Sequence, residues 1–437
     1  MNGERPIDRP FGPSLRRPGM LAGMLVLAGG MVWGCAGQAA AMGDASSQAT
    51  RAAGSPAGAT EAATAIDAFG FDLYRAALTP GSNGVLSPAS IVLALSMAQA
   101  GARGETATQM DTVLHAALGS GDGNGINSLD QALGAISGDY SMPDGTSQKL
   151  TLRIANALFA QNGEKWEQAF LDTLAARFGA DLKLVDYKAD PAAARDQING
   201  WISDQTEGRI PKLIDSLDTR TRLVLANAIY LKAPWLTPFD AAGTVDAPFT
   251  RAGGSQVKVP TMSVGLSHAG YASGSGWQAV ELPYLNPSLV MTIVVPDDLA
   301  AFEKSLDGPR FAQITSALAD ATVDLTLPRF KVETKADLTS ILPGMGMPLA
   351  FDFGKADFSG MTTQEPLFIS KVLHQANISV DENGTEASAA TVVVMDAGSA
   401  APQHVVSMHV DRPFVFAMRD TSTGAILFLG RVSDPSA

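Results

Sequence analysis

The chain has 437 residues, 46% of them apolar and 17% charged, a composition that sustains a large packed core and excludes an extended disordered protein. Its formal net charge of −13 argues against nucleic acid as a partner, and the first 34 residues carry four Arg against Glu4 and Asp8, so the remainder is more acidic still. Cys35 is the single cysteine, so no intramolecular disulfide can form and packing alone must hold the fold.

Residues 1–35 read as an export signal: Arg5, Arg9, Arg16 and Arg17 precede an apolar stretch over 20–33, too short and glycine-rich for a membrane span. Val32-Trp33-Gly34-Cys35 has the form of a bacterial lipobox, which makes Cys35 the expected lipidation site and the lipid the only expected membrane contact. The alternative is cleavage within Gln38-Ala39-Ala40-Ala41 and release as a secreted, extracellular protein rather than a cell-envelope lipoprotein. Residues 36–60 are Ala, Gly, Ser and Thr with scattered charges and no periodic apolar face, the composition of a flexible linker. A single domain is expected over 61–437.

Within it, Ile66, Phe69, Leu73 and Ala77 fall at helical spacing over 64–78. Pro88 opens a second helix so uniformly apolar (Ile91, Leu93, Leu95, Met97) that it must be buried. Further helices are expected over 105–118, 166–178 and 191–206, and surface loops at the glycine-rich stretches 119–127 and 138–145. Strands are expected over 150–159, 223–231, 278–282, 289–295, 323–332, 367–380, 405–410, 414–418 and 425–432. Helices early and strands late indicate an α+β fold with large antiparallel sheets, and the chain has no internal repeat.

One strand-like stretch has no evident partner. From Thr385 onward, alternate residues Thr385, Ala387, Ala389, Thr391, Val393 and Met395 form an uncharged face, with Glu386, Ser388, Ala390, Val392, Val394 and Asp396 on the other. It lies between Asn383-Gly384 and an irregular tail ending in Ala401-Pro402-Gln403. An exposed strand with a buriable face is costly to leave unpaired, which points to a native state held short of its most stable arrangement.

Separated stretches in this order resemble the serpin family: Ser87-Pro88-Ala89-Ser90-Ile91, the run Gly101 to Met110, Leu225-Ala-Asn-Ala-Ile-Tyr230, Leu327-Pro-Arg-Phe330, Ala356-Asp-Phe-Ser-Gly-Met361, Lys371-Val-Leu-His374, Asp411-Arg-Pro-Phe414 and Phe428-Leu-Gly-Arg431. The resemblance implies the serpin fold, with about nine helices, three β-sheets, a large central sheet and an exposed reactive loop at about 384–404. It implies a suicide inhibitor of serine proteases, with cysteine proteases as a second target class, acting as a monomer through a covalent 1:1 complex with its target. The hinge of the loop would be Glu382, Gly384, Thr385, Glu386, Ala387, Ser388, Ala389, Ala390 and Thr391, with Glu386 facing solvent. Ser87, Ser90, Asn227 and His374 would form the shutter, the polar cluster beneath the parting strands. Trp235 would mark the breach at the top of that opening, although Ala233-Pro234 stands where the family has a glycine.

Counting fourteen residues from Thr385 puts the reactive bond at Gly398-Ser399, with Met395-Asp396 and Ala397-Gly398 as alternatives because the segment up to Pro413 is longer than the family's usual one. Small and apolar residues there, and no Arg or Lys over 381–411, point to an elastase-, chymotrypsin- or subtilisin-like target. The alternative function is a non-inhibitory binding or carrier protein on the same scaffold.

Enzyme readings are weaker. Ser255-Gln-Val-Lys258 has the Ser-x-x-Lys spacing of penicillin-recognising hydrolases, but Val257-Lys258-Val259-Pro260 reads as a strand where that motif needs a helix start. His115, His268, His374, His404 and His409 have no metal-ligand spacing, so neither metal nor cofactor is expected.

Overall fold

A computed structural model describes residues 42–115, 124–142, 145–386 and 405–437. Strand β1 (Gly43–Ala45) precedes helix α1 (Pro56–Ala77), where Ser55 caps by accepting from Gly58 N and Pro56 presets φ in the first turn. Strand β2 (Gly84–Leu86) leads to α2 (Pro88–Gln99), every residue of which is buried. Helices α3 (Gly104–Val113) and α4 (Gly125–Gly134) follow, then strands β3 (Gly138–Ser141) and β4 (Ser147–Gln161). Helix α5 (Gln168–Thr173) runs into one wide π-turn, Leu174–Phe178, which Gly179 ends in the left-handed region.

Next come β5 (Leu182–Val185), α6 (Pro191–Gln205), β6 (Leu223–Pro234), β7 (Val245–Thr250), β8 (Gln256–Gly274), β9 (Trp277–Pro283) and β10 (Leu289–Pro296). Two short helices, α7 (Leu299–Glu303) and α8 (Gly308–Ser316), separate these from β11 (Ala319–Pro328) and β12 (Phe330–Asp337). The remaining elements are α9 (Ile341–Met345), β13 (Lys371–Asp381), β14 (Gly384–Thr385), β15 (Val405–His409), β16 (Phe414–Asp420) and β17 (Ile426–Val432).

Among the described residues the strands join into two sheets. The central one runs β1-β5-β4-β6-β14-β13-β12 with β3 beside β4, and the other runs β15-β11-β8-β9-β10-β16-β17-β2 with β7 beside β8. The nineteen-residue strand β8 is long enough to pair with β7, β11 and β9, and so it fuses what the family resemblance implied would be two separate sheets. Both faces of the central sheet are covered, which is why β6 reads as a continuous apolar run. Leu225, Ile229 and Leu231 belong to the large core that includes α2, whereas Val224, Ala226 and Ala228 pack with Ala194, Ile198 and Ile202 of α6.

Several expectations need correction. The linker read into 36–60 is docked from Gly43 on: β1 pairs antiparallel with β5, Ala52 N donates to Ala176 O, and α1 begins at Pro56 rather than at 64. A composition without apolar periodicity hid this because β1 is held by backbone bonds, which carry no side-chain signature. The stretch 323–332 is two strands broken at Arg329, because the chain changes sheets there: Pro328 still pairs with Thr261 of β8, whereas Phe330 pairs with Val380 of β13. The loops expected at 119–127 and 138–145 contain the start of α4 and all of β3. Lys258 does lie in a strand.

Candidate functional site

The site lies along the seam between β6 and β13. Below, these strands pair in parallel over six residues, from Lys371 opposite Val224 to Ala376 opposite Ile229. Above, they are held apart by β14: Thr385 pairs with Val380 of β13 and Ala233 of β6, and Gly384 with Asp381 and Pro234. The first residues of the expected exposed loop are therefore buried in the central sheet. This corrects the reading of 384–404 as wholly exposed, and the cause is local: the Glu382-Asn383 turn folds β14 straight back into a gap that β6 leaves open.

Gly384 is required there. At φ 149° its backbone approaches β6 so closely that a Cβ would lie 2.1 Å from the Ala233 carbonyl oxygen. Thr385 is fully buried, and its hydroxyl shares a hydrogen bond of 2.7 Å with the Tyr284 hydroxyl. Glu386 then takes a left-handed φ of 48°, unusual for a non-glycine, while its N–H donates to Ser379 O at 2.9 Å. Its carboxylate does not face open solvent as expected. It is half-buried, 3.5 Å from Arg209, and burial raises its pKa against the pull of Arg209, Lys331 and Lys232.

Trp235 clamps the turn from outside. Its ring stacks on Tyr284 with centroids 4.3 Å apart, its Nε1 donates to Asp381 O at 3.0 Å, and its backbone N donates to Asn383 O at 2.9 Å. Glu382, nearly fully buried, accepts from Arg329 Nε at 2.7 Å and from the Thr244 hydroxyl. Burial pushes its carboxyl pKa up, but the bonds from Arg329 and Thr244 outweigh burial and hold it below the usual value.

Lower on the seam, adjacent strands bring three polar residues to one level: Asn156 of β4 lies opposite Asn227 of β6, which lies opposite His374 of β13. Ser87 N donates to His374 Nε2 at 3.1 Å, which leaves Nδ1 as the protonated nitrogen, donating to Asn227 Oδ1. Asn227 Nδ2 in turn donates to Ser90 Oγ and Asn156 Oδ1. Burial depresses the His374 pKa to about 3, so the ring is neutral near pH 7. Ser87 joins through its backbone, since its hydroxyl caps α2 by accepting from Ser90 N.

The structure thus brings together Ser87, Ser90, Asn227 and His374, and separately Trp235, Glu382, Gly384, Thr385 and Glu386. Ala387, Ser388, Ala389, Ala390 and Thr391 of the hinge, every reactive-bond candidate (Met395, Asp396, Ala397, Gly398 and Ser399) and Cys35 lie outside the described residues. The sequence reading missed Asn156, Tyr284, Thr244 and Arg329. Arg329 sits inside the quoted Leu327-Pro-Arg-Phe330 stretch, and Asn156 lies in the strand expected over 150–159 as a lone polar flanked by apolar residues. Tyr284 and Thr244 carry no local signal.

A family model described as serpin (serine protease inhibitor) matches residues 64–435. An uncharacterized serpin-like protein of Thermococcus kodakarensis is 36% identical, the match covering 85% of each chain. The leukocyte elastase inhibitor of Equus caballus is 35% identical over 85% of this chain and 99% of its own. Among solved structures, the thermophilic serpin tengpin in its native state matches with a TM-score of 0.77 at 27% identity, covering 90% of this chain and 99% of tengpin. Human thyroxine-binding globulin complexed with thyroxine matches at a TM-score of 0.74 and 27% identity, covering 86% of this chain and 99% of the globulin.

Proposed function

The chain belongs to the serpin family, and from that premise, with a leukocyte elastase inhibitor among its relatives, we propose that it inhibits serine proteases by loop cleavage, acyl-enzyme trapping and loop insertion. One observation carries the reading: Thr385 already sits as a strand between β6 and β13, bonded to both, above a seam that closes four residues further down, where Ala376 pairs with Ile229.

The chemistry follows from the seam. Cleavage near Gly398 frees the loop to extend the insertion that β14 begins. Each new ladder bond contributes roughly 0.5–1.5 kcal/mol, and burying an apolar side chain such as Val393 adds roughly 1.5–3 kcal/mol. Fourteen inserted residues at ~3.3 Å each carry an attached protease about 45 Å down the sheet. While the protease is joined through its acyl ester, distortion of its oxyanion hole stops deacylation and leaves a covalent 1:1 complex. The shutter bonds between Asn227 and His374 must break as the strands part.

Gly398-Ser399 remains the proposed reactive bond, with an elastase-, chymotrypsin- or subtilisin-like target. Export through residues 1–35, with Cys35 lipidated or the chain released, is the proposed route to such proteases. The second reading, a non-inhibitory binding protein, is supported by the likeness to thyroxine-binding globulin. The test is incubation with a panel of these proteases: an SDS-stable adduct together with a C-terminal fragment whose mass fixes the cleaved bond supports inhibition. Turnover without adduct across the panel refutes it.

A further inference from the structure

At the foot of the same seam, where β6 and β13 begin, lies an open cavity of about 720 Å³ between the 216–222 segment and the chain entering β13. Its apolar wall is Leu217 with Phe353 and Phe368, whose rings meet edge to face at 5.5 Å. Phe353 is 63% exposed, an unusual position for a large aromatic. The polar wall holds three cations, Arg220, Arg222 and Lys371, against one carboxylate, Asp218, on a protein whose net charge is −13.

These cations differ in their freedom. Arg222 is fixed by Glu365 at 3.0 Å and by the Thr219 and Thr221 carbonyls. Arg220 is largely exposed, with Asp218 at 3.3 Å, and Lys371 is 3.9 Å from Asp337, so both retain donors for a ligand. We propose that this cavity binds an amphipathic organic anion: one carboxylate or sulfonate held by Arg220 and Lys371, and an aryl or alkyl body laid against Phe353 and Phe368. The volume is that of an ordinary small-ligand site, and a mainly apolar wall with few convergent charges is the usual construction of one.

Such a ligand would span the seam, because Arg220 precedes β6 and Lys371 opens β13. The foot of the seam is closed by Ser370 N donating to Leu223 O at 2.9 Å and Arg222 N donating to Ser370 Oγ at 3.1 Å. An added strand doubles the local spacing of β6 and β13 from ~4.8 Å and breaks both bonds. A ligand bridging the two walls therefore favours the closed seam and, by linkage, opposes insertion; this second effect rests on the inhibitor reading, whereas binding does not.

The test uses the full chain and anilinonaphthalene sulfonate as the fluorescent probe. Expected are 1:1 binding, displacement by dodecanoate, at least tenfold weaker binding by both Arg220→Gln and Phe353→Ser, and at least tenfold weaker binding of the uncharged analogue N-phenylnaphthylamine. Both substituted side chains are exposed, so folding is preserved. Unchanged affinity in either variant, or equal affinity for the neutral analogue, overturns the site. In a second arm, saturating dodecanoate should slow annealing of a synthetic peptide of residues 385–398 at least fivefold. An unaffected annealing rate overturns the coupling while the site stands, and a peptide that anneals under neither condition sinks the inhibitor reading and the coupling together.

Discussion

Thr385 Oγ1 and the Tyr284 hydroxyl meet at 2.7 Å in a site sealed from solvent, at the point where the chain leaves the central sheet. Tyr284 is held in place by its stacking on Trp235, so the bond ties the first loop residue to the rigid wall of the seam. Tyr284→Phe keeps the ring and strands a buried Thr385 hydroxyl, at a cost of about 1–3 kcal/mol. Hydrogen exchange at Gly384 and Thr385 should accelerate roughly five- to a hundredfold, while exchange in β16 stays unchanged. Equal protection in the variant would mean that the bond does not hold β14 in the seam.

Thr385→Arg places a guanidinium where a fully buried side chain now sits. Insertion should slow, so that target protease cleaves the loop and departs. Gel densitometry of adduct against cleaved monomer checks this: a large fall in adduct yield is expected, and an unchanged yield contradicts insertion through this seam.

Arg329→Ala removes the charged partner of Glu382, whose carboxylate is almost wholly buried. Losing hydrogen bonds to a charged group costs about 1.5–3 kcal/mol, and the Glu382-Asn383 turn should loosen. The expected result is a lower Tm for the intact protein, partly restored by Arg329→Ala combined with Glu382→Gln. No restoration would place the stabilising role of Arg329 elsewhere.

Burial depresses His374 to about 3 from an ordinary value of 6.5. Below pH 6.5 the unfolded chain takes up a proton that the native ring refuses. This residue therefore removes stability as pH falls from 6.5 towards 3, by up to about 1.4 kcal/mol per pH unit. Asp67 has the opposite sign: burial raises it from 3.8 to about 7, so the stability it contributes is full below pH 4 and is lost as pH rises through 7. Thermal scans at fixed rate from pH 4 to 6.5 should show a steeper acid-side fall in Asp67→Asn and a flatter one in His374→Gln. A wild-type profile in the histidine variant would contradict a neutral buried ring.

Much of the fold was legible because apolar periodicity and proline-led helices are local signals: α2 announces itself by being apolar on every side, and β6 by an unbroken run. Ser87, Ser90, Asn227 and His374 were named through the family resemblance, and each is a polar residue in an otherwise apolar element. What stayed hidden depends on contacts distant in sequence. Tyr284 acquires its role only when the 284 turn meets residue 385, and the pairing of β1 with β5 is made by backbone atoms. The insertion of β14 was missed because a two-residue strand has no periodicity. The need for glycine at 384 was hidden too, because it comes from close approach to Ala233 O on a distant strand.

The most direct test of stored strain is the thermal stability of the intact molecule compared with one nicked once in the 387–404 segment. A gain on the order of 10 kcal/mol, comparable to the whole stability of an ordinary domain, corresponds to a Tm rise of about 10 °C or more for a chain of this length, with exchange protection gained from residue 387 onward. An unchanged or lower Tm after the nick, with no protection gained over residues 387–398, would contradict insertion.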